Sequence, residues 1–259
     1  MRKNWVRQKA LNGQPTLGAM LGLGSPNAAE LMAQAGYDWL VVETEHNALD
    51  SAQIEHMLMA MNGTRTIPVV RLPSADPIGI QKALDVGALG VLLPMVRTAA
   101  EAAAIVGATR YPPQGCRGFG PLRASQYTMD YPDYLAAAND NILVLLILET
   151  RDALDNLEEI AAVPGVDGLL FGLFDLCLDM GLNPMDMPLP QIDATIEQAL
   201  AQCQRTGMAL GIGCGSPKEL QQRLAQGFTL PLYGTDYMLL GNAARSGIRA
   251  FRQRQEDAS

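Results

Sequence analysis

The chain has 259 residues, 48% apolar, 18% charged and 5% aromatic, which rules out the disordered and fibrous classes. Nineteen basic residues against 27 acidic ones give a net charge of −8, the wrong sign for a protein that neutralises phosphates, so nucleic acid is not expected as a partner. The longest apolar run, Ile142 to Leu148, is far short of the roughly 20 residues of a membrane helix, and the basic start (Arg2, Lys3, Arg7, Lys9) lacks the apolar stretch of a signal peptide. A cytoplasmic protein that keeps away from membranes is expected.

Short aliphatic runs alternate with amphipathic stretches, the pattern of a parallel sheet covered by helices. In chain order the expected strands are 16–21, 38–43, 67–71, 90–94, 142–148, 168–171, 209–213 and 229–233. Helices are expected at 26–35, 51–61, 77–86, 99–109, 151–161, 192–205, 217–225 and 235–252. Ser25-Pro26, Asp76-Pro77 and Ser216-Pro217 each set a capping side chain before a proline at the first helical position, and Gly36, Gly87, Gly207 and Gly227 read as helix stops. Eight β/α pairs in a chain of this length indicate a single α/β domain over 1–259, a (β/α)8 TIM barrel rather than an open doubly wound sheet. Two pieces fit less well. The stretch 111–141 is too long for a bare connection and calls for a short helix near 133–139 or a loop over the active site, and Pro231 predicts a short or bulged last strand.

In a TIM barrel chemistry sits at the carboxyl ends of the strands. Glu149 and Asp175 fall there after adjacent apolar strands, and two carboxylates completed by water and a chelating substrate make an octahedral site for Mg2+ or Mn2+; an acid in either place also caps the helix that follows. His46 lies in the acidic turn after the second strand, where an imidazole exchanges protons near neutral pH or is simply a loop histidine. Arg71 ends the third strand and meets either a developing oxyanion or a neighbouring carboxylate. The four scattered cysteines form no C-x-x-C pair and read as plain thiols. Gly211-Ile212-Gly213-Cys214-Gly215 is a weak phosphate-loop candidate without the G-x-G-x-x-G spacing. None of the four lysines (Lys3, Lys9, Lys82, Lys218) falls on an expected inward strand position, so a Schiff-base mechanism is not expected.

Trp39 to His46 (WLVVETEH), Pro68 to Arg71, Val91 to Val96, Thr109 to Pro113, Glu149-Thr150-Arg151 and Phe171-Gly172-x-x-Asp175-Leu176 together resemble the HpcH/HpaI aldolase family over nearly the whole chain. The resemblance is nearest to metal-dependent (class II) pyruvate aldolases acting on 4-hydroxy-2-oxo acids and 2-keto-3-deoxy acids. It implies a (β/α)8 barrel, a divalent ion (Mg2+, Mn2+ or Co2+) and a hexamer made as a trimer of dimers that exchange their last helix. It further implies Glu149 and Asp175 as metal ligands, with pyruvate chelating through carboxylate and keto oxygen, and Arg71 stabilising the enolate oxygen. His46 would move the proton of the aldol hydroxyl with Asp85 orienting its imidazole. Backbone amides near Gly172, Leu173 and Phe174 would hold the pyruvate carboxylate, while Gly213 leaves room for the acceptor aldehyde. Glu43, Thr44, Ile147, Leu173 and Phe174 depart from the family pattern. Alternatives are a relative using the same metal enolate for decarboxylation or another C–C bond formation, and a sugar-phosphate isomerase on the same barrel.

Overall fold

A computed structural model describes residues 2–256 of the chain. The strands are β1 (Gly18–Leu21), β2 (Trp39–Glu43), β3 (Ile67–Arg71), β4 (Gly90–Leu93), β5 (Leu143–Leu148), β6 (Gly168–Phe171), β7 (Ala209–Gly211), β8 (Gly213–Cys214) and β9 (Leu232–Thr235). They form one parallel sheet in the order β7-β6-β5-β4-β3-β2-β1-β9-β8. β7 and β8 are one strand interrupted at Ile212, whose carbonyl accepts the Leu232 N–H, so the sheet curls into a nearly closed barrel of eight strand positions. The helices between the strands are α1 (Trp5–Leu11), α2 (Pro26–Gln34), α3 (Ser51–Ala60), α4 (Pro77–Asp85), α5 (Ala99–Thr109), α6 (Tyr131–Asn141), α7 (Arg151–Asp155), α8 (Leu157–Ala161), α9 (Leu173–Asp179), α10 (Pro190–Thr206), α11 (Pro217–Gln226) and α12 (Asp236–Glu256).

Strand residues alternate between two apolar cores, as a two-residue repeat requires. Leu40, Val42, Val70, Val91, Val144, Leu146 and Leu169 point outward and pack under the helices. Trp39, Val41, Ile67, Val69, Leu92, Leu143, Leu145, Ile147 and Leu170 fill the barrel interior, which Val6 and Ala10 of α1 close from the amino-terminal end. Counting on by two from the inward rows leads to Glu43, Arg71, Glu149 and Gly172 at the carboxyl end. The same alternation that builds the core therefore sets the floor of a polar site.

Ser25, Asp76 and Ser216 cap α2, α4 and α11 through backbone N–H groups, and Gly36, Gly87, Gly207 and Gly227 take positive φ at helix ends. Four expectations shift. The last strand begins at Leu232 instead of 229 because Pro231 has no N–H to give the ladder and offers only its carbonyl, to Gly18 N. The helix expected over 151–161 breaks at Asn156, whose side chain turns to the Arg97 carbonyl. The long segment after α5 contains α6, but the part before it does not cover the barrel mouth within this chain: Ala124 N bonds the Asp85 carbonyl and Arg123 bonds the Val86 carbonyl, so it runs along α4. Finally, α1 and α9 are helices that the periodicity did not indicate.

Candidate active site

Arg71 reaches across the top of the interior between two carboxylates. Its Nη1 is 3.1 Å from Glu43 Oε2, and its Nη2 is in close contact with Glu45 Oε2. All three side chains are largely shielded from solvent, at 10–16% exposure, which strengthens the pairing over that of a surface ion pair. The alternative of a salt bridge to a barrel carboxylate is thus realised, but each Nη retains a second N–H, and Nε is buried without a partner. Glu43 also shapes the turn that follows β2. Its Oε1 accepts the N–H groups of Glu45 at 2.7 Å and His46 at 3.2 Å. Thr44 bonds the Arg71 carbonyl through its own amide and hydroxyl. His46 is presented to solvent at 64% exposure, its Nε2 3.4 Å from Glu45 Oε2.

Glu149 follows β5 and is 2% exposed. Its Oε1 accepts the Met95 N–H at 2.5 Å, a bond directed by the left-handed backbone of Met95 (φ 57°), a conformation a non-glycine residue holds only where its surroundings impose it. Burial pushes the Glu149 carboxyl above its ordinary range; the Met95 N–H and Arg71 oppose this, and the nearby Asp175 and Glu45 charges add to it. Glu45 is likewise raised, chiefly by burial, with Arg71 and His46 opposing and Glu43 and Asp175 adding. Glu149 lies against the backbone at Gly172, where a Cβ would stand 2.6 Å from Oε2 and 2.8 Å from the Glu149 Cβ. Asp175, exposed, sits in the first turn of α9.

Of the expected site residues, Glu149, Asp175, Arg71 and His46 gather at this end of the barrel. Asp85 does not meet His46 in this chain. Its Oδ1 instead takes the buried Arg117 Nη2 at 2.6 Å, and Arg117 is further held by the Tyr134 hydroxyl and the Tyr111 ring. The Gly172 amide is also already used, donating to the Leu148 carbonyl at 3.0 Å, so the free donors of this turn are the amides of Leu173 and Phe174, uncapped at the start of α9. Leu173 packs against the outer core, whereas Phe174 is 55% exposed. Gly213 is exposed, and a Cβ there would meet nothing within 4 Å. The phosphate-loop reading loses its amide, because Gly215 N–H is bonded by Glu219 Oε2 at 2.8 Å. Lys82 and Lys218 are exposed on α4 and α11, Lys3 precedes α1, and Lys9 lies over the Trp5 ring. Glu43 and Glu45 were not among the expected functional residues, although Glu43 continues the inward row Trp39, Val41.

Glu45 thus lies within electrostatic reach of Glu43, Asp175 and Arg71, and Glu149 within reach of Glu45, Asp175 and Arg71, with the Glu45 and Glu149 carboxyls both raised. Four carboxylates against the single guanidinium of Arg71 leave the array short of positive charge, and oxygen ligands of this hardness suit a divalent cation. Among the described residues no three His, Cys, Asp or Glu side chains form a ready-made cage.

Residues 18–243 match the HpcH/HpaI aldolase/citrate lyase family. The chain belongs to that family. It is 40% identical over 251 residues to a hydroxypyruvate/pyruvate aldolase of Roseovarius nubinhibens, covering 96% of this chain and 97% of the relative. It is 42% identical over 238 residues to a 4-hydroxy-2-oxo-heptane-1,7-dioate aldolase of Shigella sonnei, covering 90% and 89%. The crystal structure of an HpcH/HpaI aldolase/citrate lyase family protein from Burkholderia cenocepacia superposes with a TM-score of 0.91 at 34% identity, over 96% of this chain and 99% of that one. As a family member the chain is an enzyme of the aldolase type on a TIM-like barrel.

Proposed function

We propose that this enzyme is a metal-dependent aldolase that reversibly cleaves a 4-hydroxy-2-oxo acid or 2-keto-3-deoxy acid into pyruvate and an aldehyde. The observation that carries the reading is the buried Glu149 carboxylate, seated in a cradle only glycine at 172 allows and in electrostatic contact with Asp175 and Glu45. Glu149 and Asp175 would hold the ion, Mg2+, Mn2+ or Co2+. When bound, it supplies Lewis-acid polarisation of the keto group.

Arg71, fixed by Glu43 and Glu45, directs its remaining N–H groups at the oxygen on which charge develops as the C–C bond breaks. Its guanidinium cannot lose its proton, so it acts by electrostatics alone. His46 removes the proton of the aldol hydroxyl in cleavage and returns it in addition; Glu45, beside Nε2, stabilises the protonated imidazole. The Leu173 and Phe174 amides receive the substrate carboxylate, and the Phe174 ring and the open space at Gly213 border the aldehyde half. The reading takes 1–259 as one domain.

We infer a homo-oligomer, a hexamer by resemblance, in which α12 is exchanged between subunits. After buried Asp236, which accepts the Gly22 and Leu23 amides, α12 leaves Tyr237, Met238, Leu240, Ile248 and Phe251 49–65% exposed, an apolar surface a second copy would cover. Among the described residues no helix is long and apolar enough to cross a membrane. The test is substitution of the proposed ligands. Glu149→Gln and Asp175→Asn keep shape but remove charge, so each abolishes metal-dependent turnover while the folded state persists; undiminished activity in either variant refutes the assignment.

A further inference from the structure

The amino-terminal face of the barrel, opposite the site, holds a cavity of about 480 Å3. Its walls come from the starts of strands whose other ends carry the chemistry: Pro68 in β3, and Ala88 and Leu89 just before β4. Leu58, Tyr127 and Met129 add apolar surface, and Arg2 and Arg123 are part of the lining. No lining residue is acidic. This volume lies within the range of small-molecule sites.

The two arginines are held by the fold. Arg123 Nη1 bonds the Val86 carbonyl at the carboxyl end of α4, where a cation complements the helix dipole. It fits there because residue 87 is glycine: a Cβ at Gly87 would stand 2.3 Å from Arg123 Nη1. Arg123 Nη2 has only a 3.5 Å approach to Asn62 Oδ1. Arg2 is anchored through its backbone, its carbonyl accepting Asn141 Nδ2, while its Nη2 is buried with no hydrogen-bond partner. Burial lowers the pKa of both groups; Glu55 and Tyr127 offset part of this for Arg123. A guanidinium with one nitrogen lacking an acceptor, lining the same cavity as a second guanidinium and with no acidic side chain in the lining, is an unfavourable arrangement for the empty protein that an anion would relieve.

We propose that this cavity is a binding site for a small carboxylate with an apolar body, its carboxylate between Arg2 and Arg123 and its apolar part against Leu58, Leu89 and Met129. Among anions, the apolar walls favour an organic carboxylate over inorganic phosphate, which would leave them in contact with nothing. The site is separate from the catalytic end and independent of the function proposed above.

The probe is 4-bromobenzoate, with 4-bromobenzamide as its uncharged counterpart and inorganic phosphate as the bare anion. The full chain is titrated by calorimetry, and crystals soaked with the probe are examined for the bromine anomalous signal. Expected are carboxylate binding at least about ten-fold tighter than that of either control, and a bromine peak in this cavity. Arg2→Gln and Arg123→Gln should each weaken binding roughly ten-fold or more, since each removes a charge-assisted hydrogen bond. Glu149→Gln should leave it unchanged, which separates this cavity from the catalytic site. A bromine peak only at the catalytic end, affinity unchanged in both arginine variants, or equal binding of carboxylate and amide overturns the proposal. Phosphate binding as tight as the carboxylate overturns the assigned ligand class.

Discussion

The glycine at 172 offers a direct way to test whether Glu149 is held for chemistry. Gly172 has φ −97° and ψ 77°, within reach of any residue, so an alanine there perturbs the structure through its Cβ alone. That Cβ would stand 2.6 Å from Glu149 Oε2, 2.8 Å from Glu149 Cβ and 2.9 Å from Ile147 Cγ2, against an optimum of roughly 3.5–4.0 Å for packed carbon atoms. Ile147 is locked in the barrel interior, so the Glu149 side chain gives way by about 1 Å, the scale of displacement that costs roughly 100-fold in rate when it moves a catalytic group. Forcing an extra methyl into a packed site costs about 1–3 kcal/mol of stability. Gly172→Ala is therefore expected to remain folded with a modestly lower Tm, and to release pyruvate, followed with a lactate dehydrogenase couple, about 100-fold more slowly at saturating metal. Gly107→Ala, in α5 away from the site, is the control, because its Cβ meets nothing within 4 Å. Wild-type kcat/KM in Gly172→Ala, or an equal loss in Gly107→Ala, would refute the reasoning.

If His46 works on the aldehyde half and Arg71 on the enolate half, His46→Ala should lose about 10²–10⁴-fold in aldol cleavage yet retain most pyruvate proton exchange, whereas Arg71→Lys, which keeps the charge but not the fork, should lose both. Equal effects of the two substitutions in both assays contradict this division. At the amino-terminal end, Asp167 has Oδ1 buried without a partner, while Oδ2 accepts Arg7 Nε and Val144 N–H, each at 2.9 Å. Burial raises its pKa above the ordinary 3.8, with Arg7 and the Val144 N–H opposing. Its favourable contribution is therefore complete below 3.8 and is lost as pH rises through the folded value. Asp167→Asn removes this titration, so the variant gains stability relative to the parent as pH rises through that window. A difference in Tm independent of pH over the same range rules it out.

The barrel was legible because its two periodicities are clean: β3, β6 and α5 fall on the expected residues, and every helix stop assigned to glycine takes positive φ. What escaped has local causes. Helix α1 starts at Asn4, whose side chain caps the Arg7 amide, but its basic residues drew attention to charge instead of to Val6 and Ala10, which close the barrel. Helix α9 begins at a glycine with no capping side chain, and its Leu-Phe-Asp-Leu-Cys-Leu run lacks a recognisable start. In the site, the strand-end acids and Arg71 stand out because charged residues directly follow buried strands. The role of Glu43 in bracing Arg71 and the 45–46 turn required counting inward positions in pairs from Trp39. The engagement of Asp85 with Arg117 is tertiary, joining α4 to a segment more than thirty residues away, and no local pattern announces it.

The central claim is that the strand-end carboxylates work through a divalent ion and that no lysine takes part. The most direct measurement follows pyruvate release by the full chain before and after chelation, then after addition of Mg2+, Mn2+ or Co2+, with borohydride trapping in the presence of pyruvate read by intact-protein mass. The account predicts that chelation abolishes activity, that added metal restores it, and that borohydride adds no mass. Chelator-resistant activity together with a trapped pyruvyl adduct would contradict it.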